Sequence, residues 1–352
     1  MEPDRFSSGW LAKEMEAMKK LYIVTGANGF LGNHLVRKLT ADPEQEVRAL
    51  VLPGDPVKAL EGLPCRVYFG DVTQKESLRE IFQTSGDEEV CVIHCAAVVS
   101  IKSKRDPKLW QVNVEGTKNV GEMALKTGAK MVCVNSVHAI PEQPAGQVIT
   151  EVSRFDPNLV KGYYAKTKAA AAQCVLDMVK NQGLNACIVH PSGMLGPGDF
   201  GNSHLTQLVI DFSKGRLTAC VKGGYDFVDV RDVADGVLSA CQRGKPGECY
   251  ILSNKRMEVR QLLDEISHAR HAKKIRIVLP MWVAKLTAPL SEIYYALLKQ
   301  PPLYTRYSLY TLSANSLFSH EKASRALGYQ PRALQETVVD TVNWLRESGR
   351  IP

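Results

Sequence analysis

Seven short, nearly continuous apolar runs set the architecture of this chain: "LYIVTG", "EVRALV", "CRVYFGD", "VCVIHCAA", "KMVCVNS", "NACIVHPS" and "ECYILS". A strand apolar on both faces needs cover on both faces, and helices between successive strands supply it. Long amphipathic stretches such as Pro107–Lys126 and Tyr163–Asn181 lie between the runs. The alternation specifies an α/β chain with a doubly wound parallel sheet of the Rossmann type. After Pro191, "PSGMLGPGDFGNSH" loosens the pattern, and from about Met257 the chain reads as mainly helical. The expected division is a sheet domain of residues 18–192 plus about 225–254 and a smaller, helical lobe of about 193–224 plus 255–352. Residues 1–17 read as a loosely held extension.

Composition excludes several classes. The formal charge is +7, but Lys and Arg are spread along the chain with no basic block interleaved with aromatics, so no nucleic-acid partner is expected. The 9 cysteines form no C-x-x-C pair and several sit in apolar runs, which suits small core residues in a reducing compartment and argues against disulfides or a metal site. The start has no apolar signal core. "PMWVAKLTAPLSEIYYALL" is interrupted by Lys285, Pro289 and Glu292, too soon to span a bilayer. A cytoplasmic protein without a stable membrane anchor is expected, and Met281–Leu298 reads as an apolar lid.

In open α/β sheets the ligand lies beyond the carboxyl ends of the strands. Three such places carry chemistry. After Thr25 come Gly26, Gly29 and Gly32, opening a helix at about Phe30. This pattern suits a dinucleotide cradle: a tight turn, close approach of backbone amides to a diphosphate, close helix–strand packing, and a positive helix end facing the phosphates. Ser136 closes the fifth run. In "GYYAKTKAAAA", Tyr164 and Lys168 lie four apart on one helical face. A tyrosine ordinarily loses its proton near pH ~10, and a neighbouring ammonium lowers that value by stabilising the phenolate. With a serine hydroxyl on the carbonyl oxygen, Tyr164 donates or removes the proton while a nicotinamide carries the hydride.

Together these segments resemble the extended short-chain dehydrogenase/reductases, from Lys20 to about Arg346. "TGANGFLGNH" is similar to the family's glycine turn and "YAKTK" to its Tyr-x-x-x-Lys. The resemblance implies a catalytic set of Ser136, Tyr164, Lys168 and Asn113, the last supporting the active-site helix from "NVEGT". It implies cofactor contacts at Gly26, Gly29, Phe30, Leu31 and Gly32. Asp71 and Val72 are implied at the adenine, Cys95, Ala96 and Ala97 at the fourth strand end, and Tyr164, Lys168 and Pro191 near the nicotinamide.

Departures narrow the chemistry. Ser136 is followed by Val137-His138-Ala139, not the Asp-Glu pair of sugar dehydratases, and "HAIPE" replaces the Val-Tyr-Gly usual in nucleotide-sugar epimerases. "HPSGMLGPGD" and the C-terminal segment resemble the 3β-hydroxysteroid dehydrogenase and dihydroflavonol reductase branch. That implies a secondary alcohol or ketone on a bulky, apolar small molecule. The alternatives are a nucleotide-sugar epimerase that retains NAD and a non-catalytic dinucleotide sensor. Asn135 stands where many relatives have serine or threonine, and is expected to be tolerated.

The remaining polar residues read as structural. His138 reads as a turn histidine or a substrate contact, and His94 and His190 as packed and hydrogen-bonded. Asp229 and Asp232 resemble a segment joining the lobes, with Asp232 as a helix cap. Trp282, Tyr294 and Tyr295 read as core of the second lobe. At the end of the second run neither Val51 nor Leu52 supplies a cofactor determinant, Asp55 is available to turn inward, and Arg48 points elsewhere. The choice leans to NAD over NADP. A homodimer through sheet-flanking helices is the family's habit.

Overall fold

The computed structural model describes residues 19–100, 105–217, 219–270, 274–288 and 305–352. In chain order, β1 (Lys19–Thr25), α1 (Phe30–Leu39), β2 (Gln45–Val51), β3 (Arg66–Phe69) and β4 (Glu88–His94) come first. A helical run follows: α2 (Pro107–Trp110), a wide π turn at Gln111–Gly116, and α3 (Thr117–Thr127). Then come β5 (Lys130–Val134), α4 (Tyr163–Gln182) and β6 (Ala186–Pro191). The chain leaves this layer through β7 (Gly193–Leu195), α5 (His204–Ser213), β8 (Ala219–Val221) and β9 (Gly224–Asp229). It returns by α6 (Val230–Arg243) to β10 (Cys249–Leu252). β11 (Lys255–Glu258), α7 (Val259–Arg270), β12 (Ile277–Leu279), α8 (281–288), α9 (Arg306–Ser313), α10 (Glu321–Leu327) and α11 (Leu334–Glu347) complete it.

The seven apolar runs are the seven strands of one parallel sheet, in the order β3-β2-β1-β4-β5-β6-β10. Neighbouring side chains of β1 divide between two cores. Leu21 and Ile23 enter the layer under α3 and α4, and Tyr22 and Val24 enter the layer under α1 and α6. That division is why the run has no polar alternation. The strand order reverses between β1 and β4, which places a crevice at their carboxyl ends.

The second lobe has its own core, including Val209, Phe212, Leu262, Leu263, Val338 and Leu345. Three expectations change here. β9, assigned by sequence to the main sheet, pairs instead with β7 and β11. Asp229, not Asp232, caps α6 by accepting the Arg231 N–H at 2.8 Å. Asp232 instead binds Arg332, whose N–H and Nε–H donate to its two oxygens at 2.8 and 2.9 Å, joining α6 to the approach to α11. Trp282 is 70% exposed: α8 turns Ala284 and Ala288 inward against Leu309, which leaves its neighbour facing out. Tyr294, Tyr295 and the distal part of the expected lid lie outside the described residues.

Candidate active site

The turn after β1 is built on its glycines. Gly26 has φ +64°, and a Cβ there would lie 2.8 Å from the Ala96 backbone. A Cβ on Gly32 would meet the Gly26 carbonyl oxygen at 2.1 Å, so α1 packs against the turn only without a side chain. A Cβ on Gly29 would touch only the Gly26 oxygen, at 3.1 Å. No side chain caps α1, so its first N–H groups at Phe30 and Leu31 are left for a ligand.

A hydrogen-bond chain braces the floor behind this turn. Thr117 gives its one hydroxyl proton to the Asn113 carbonyl at 2.7 Å, so it accepts from His94 Nε2–H at 3.0 Å. His94 Nδ1 then accepts the Thr25 hydroxyl at 2.8 Å, and Thr25 accepts the Ala96 N–H at 3.1 Å. Burial, with the Lys168 charge, pulls the His94 pKa down to about 3, so the ring stays neutral. His94 is thus packed and bonded, as its place on an apolar strand end implies.

Ser136, Tyr164 and Lys168 are brought together where β5 ends against the start of α4. Tyr164 is 7% and Lys168 5% exposed. The Ser136 hydroxyl accepts the His138 N–H at 3.2 Å, and its polar influence on the Tyr164 phenol favours the phenolate. Burial is the larger effect and pushes the Tyr164 pKa up to about 12. This reverses the direction expected from the sequence. The Lys168 ammonium, one turn away, points to the Val134 carbonyl at 3.4 Å, and burial lowers its own pKa.

Asn113 sits between the segment after β4 and α4. Its amide accepts the Val98 N–H at 2.8 Å and donates to the Val98 carbonyl at 3.0 Å and to Thr167 on α4 at 3.1 Å. His190 Nδ1–H donates to the Ser136 carbonyl at 2.9 Å, and its ring stacks on Phe155. Burial holds the His190 pKa near 4.

Asn135, read from the sequence only as a tolerated departure, holds its neighbours in place. Its Oδ1 accepts the Ser136 N–H at 2.8 Å and its Nδ2 donates to the Lys168 carbonyl at 3.0 Å, so one amide ties two of the three central residues together. The signal was the asparagine itself, whose donor and acceptor make both bonds where a serine has one hydroxyl.

Tyr225 and Tyr307 were missed. Their hydroxyls lie 3.0 and 3.4 Å from the two ring nitrogens of His138, and the His138 ring meets Tyr164 edge-on at 5.8 Å. Burial keeps the His138 pKa near 4, so the neutral ring accepts from one tyrosine and donates to the other. Gly162, just before α4, marks the packing. A Cβ there would overlap the Tyr307 ring at 2.1 Å.

Two cavities lie around this centre, and neither is lined by Ser136, Tyr164 or Lys168 themselves. A cleft of about 720 Å³ runs along the strand ends past Gly26, Gly29, Asp71, Val72, Cys95, Ala96 and Ala97. Leu52, Asp55 and Lys58 also line it, while Arg48 turns away into bonds with Glu46, Ile81 and Gln83. Pro191 ends β6, buried, and is not among the residues lining the cleft. The glycine turn, its uncapped helix and this cleft fit a dinucleotide. A second cavity of about 450 Å³ opens beside His138, Tyr225 and Ala165. Its buried wall is apolar, with Val137, Ile140, Ile149 and Val160, and its exposed rim carries Glu142 and Lys161.

The NAD dependent epimerase/dehydratase family matches residues 22–253, more than half of the chain. The chain belongs to that family. It is an NAD(P)-dependent oxidoreductase of the extended short-chain type. Sterol demethylase protein B of Methylococcus capsulatus is 32% identical, the match covering 94% of this chain and 99% of that one. A putative dihydroflavonol 4-reductase of Synechocystis is 29% identical, covering 95% and 97%. Among solved structures, gox2253 superimposes with a TM-score of 0.82 at 30% identity, covering 95% of this chain and 100% of that one. Among the described residues no helix is long and apolar enough to cross a membrane.

Proposed function

We propose that this family member interconverts a secondary alcohol and a ketone on a bulky, largely apolar molecule of hydroxysteroid type. The observation that carries the reading is the second cavity. Its volume lies within the roughly 300–1,000 Å³ of small-molecule sites, and its buried wall of Val137, Ile140, Ile149 and Val160 stands beside His138, whose ring meets Tyr164 edge-on at 5.8 Å. The resemblance to a sterol demethylase component points the same way.

In this mechanism Ser136 hydrogen-bonds the substrate oxygen and Tyr164 gives or takes its proton. Lys168 holds positive charge beneath the cleft floor, where it also attracts the cofactor's ribose. A nicotinamide bound along the cleft supplies or accepts the hydride. Asp55, exposed beside the cleft, would oppose a 2′-phosphate and so favour NAD, with Lys58 nearby as the counterweight.

The test is a panel of hydroxysteroids, ketosteroids, dihydroflavonols and nucleotide sugars, each with NAD(H) and NADP(H), followed by nicotinamide absorbance. Net turnover of steroid with added NAD(H) is expected. Tightly retained dinucleotide with sugar epimerisation and no net turnover would establish the epimerase alternative instead. NADPH bound about tenfold tighter than NADH would overturn the preference for NAD, since that ratio is the size of one charged phosphate contact.

A further inference from the structure

The C-terminal segment "RESGRIP" sets a cation beside the dinucleotide cleft. α11 ends with Ser348, and Gly349 at φ +68° turns the chain back. The Gly349 N–H donates to the Arg346 carbonyl at 3.0 Å and the Arg350 N–H to the Leu345 carbonyl at 2.9 Å, the paired bonds of a Schellman motif. Ile351 is 4% exposed and sits in the core of the second lobe. Arg350 is therefore fixed from both sides.

Its side chain is only part-satisfied. The guanidinium lies 4.9 Å from the centre of the Trp344 ring, and Nη1 donates to the Asp199 carbonyl at 2.7 Å. Nη2 has no partner among the described residues and is enclosed by protein, so an anion in the cleft meets it only when the side chain turns outward. A buried charged donor without an acceptor is costly and calls for an explanation. Asp199 does not supply it, because its carboxylate is engaged by the N–H groups of Gly201 and Ser203.

Arg350, Trp344 and Phe200 line the same cleft as Gly26 and Gly29. The loop that holds Nη1 is bonded to α1, with Asn33 Nδ2 donating to the Gly198 carbonyl at 3.2 Å and His34 Nε2 lying 2.9 Å from the Pro197 carbonyl. The loop that holds Arg350 therefore packs on the first turns of α1, whose start is uncapped. Asp55 and Lys58 line the same cleft, and the carbonyl of Pro56 between them accepts from Asn28 of the glycine turn at 3.2 Å.

We propose that Arg350 is an anion clamp for the diphosphate of the bound dinucleotide, closing on it from the side opposite the glycine turn. The inference rests on the dinucleotide reading and adds a residue to it from the far end of the chain. It predicts a contact that depends on phosphate and not on the base or ribose.

Calorimetric titration of the full chain with NADH and ADP-ribose, and with adenosine by competition, tests it. Arg350→Gln should weaken NADH and ADP-ribose by about tenfold or more, the size of a charged hydrogen bond, and leave adenosine unchanged. Arg350→Lys should recover part of the loss by restoring the charge, and guards against a glutamine variant that fails to fold. Equal affinities in wild type and Arg350→Gln overturn the clamp alone, as does a loss that is the same for adenosine. A wild-type chain that binds neither NADH nor ADP-ribose overturns the dinucleotide reading and the clamp with it.

Discussion

Removing the Asn135 amide should show how tightly the catalytic residues depend on one another. In Asn135→Ala the Ser136 N–H loses its acceptor at 2.8 Å in a site where Asn135 itself is 6% exposed. An orphaned buried donor costs about 1–3 kcal/mol. The second bond, to the Lys168 carbonyl, adds about 1 kcal/mol, because that oxygen lies inside α4 and the helix ladder still uses it. A loss of about 2–4 kcal/mol in urea unfolding is therefore expected. Turnover should suffer separately, because Ser136 and Lys168 no longer share a tether. A misplacement of about 1 Å near the chemistry costs on the order of a hundredfold. The assay is kcat and KM for substrate beside the NADH dissociation constant: kcat should fall at least about tenfold with the dissociation constant little changed. A stability change below about 0.5 kcal/mol, the range of an ordinary surface substitution, together with unchanged kcat would refute the reasoning.

Other outcomes follow from the same geometry. With its pKa pushed up to about 12, Tyr164 is a phenol at neutral pH, so ketone reduction should not vary with its protonation between about pH 6 and 9. Alcohol oxidation needs the phenolate and should rise toward tenfold per pH unit over that range; an oxidation rate flat with pH would contradict this. His94, His138 and His190 are held near pKa 3, 4 and 4, whereas the unfolded chain takes up these protons near pH ~6.5. Their stabilising effect is present above about pH 6.5 and declines as pH falls toward the folded values, so the urea midpoint should drop between pH 7.5 and 5. A constant midpoint would count against buried neutral rings. Gly32→Ala forces α1 off the turn, and should lower stability by about 1–3 kcal/mol or more and weaken NADH binding. Wild-type affinity in a stable Gly32→Ala protein would contradict the cradle geometry.

The sheet was legible because its inner strands are buried on both faces, which leaves an uninterrupted apolar run such as "LYIVTG" whatever its partners are; the edge strand β3 is mostly exposed. The glycine turn and the Tyr164–Lys168 spacing were legible because both are local. What escaped was long-range. Nothing in "YDFVDV" says that β9 pairs with β7 and β11, since a strand followed by a helix looks the same in either sheet. Tyr307 meets His138 across 169 positions of chain, and Arg350 meets the loop at Asp199 across 151. Asp229 and Asp232 lie three apart near a helix start, and which one caps depends on where the helix begins, at Val230, which the local sequence leaves open. The Tyr164 shift was misjudged for a related reason: spacing reports a nearby lysine but not the depth of burial.

The most direct measurement compares wild type and Tyr164→Phe with the steroid and cofactor that the panel identifies. The phenylalanine keeps the ring that meets His138 and removes only the acid–base oxygen. The account predicts that turnover falls by about a hundred- to ten-thousandfold while NADH affinity and the unfolding midpoint stay close to wild type. Turnover near the wild-type level in Tyr164→Phe would contradict it.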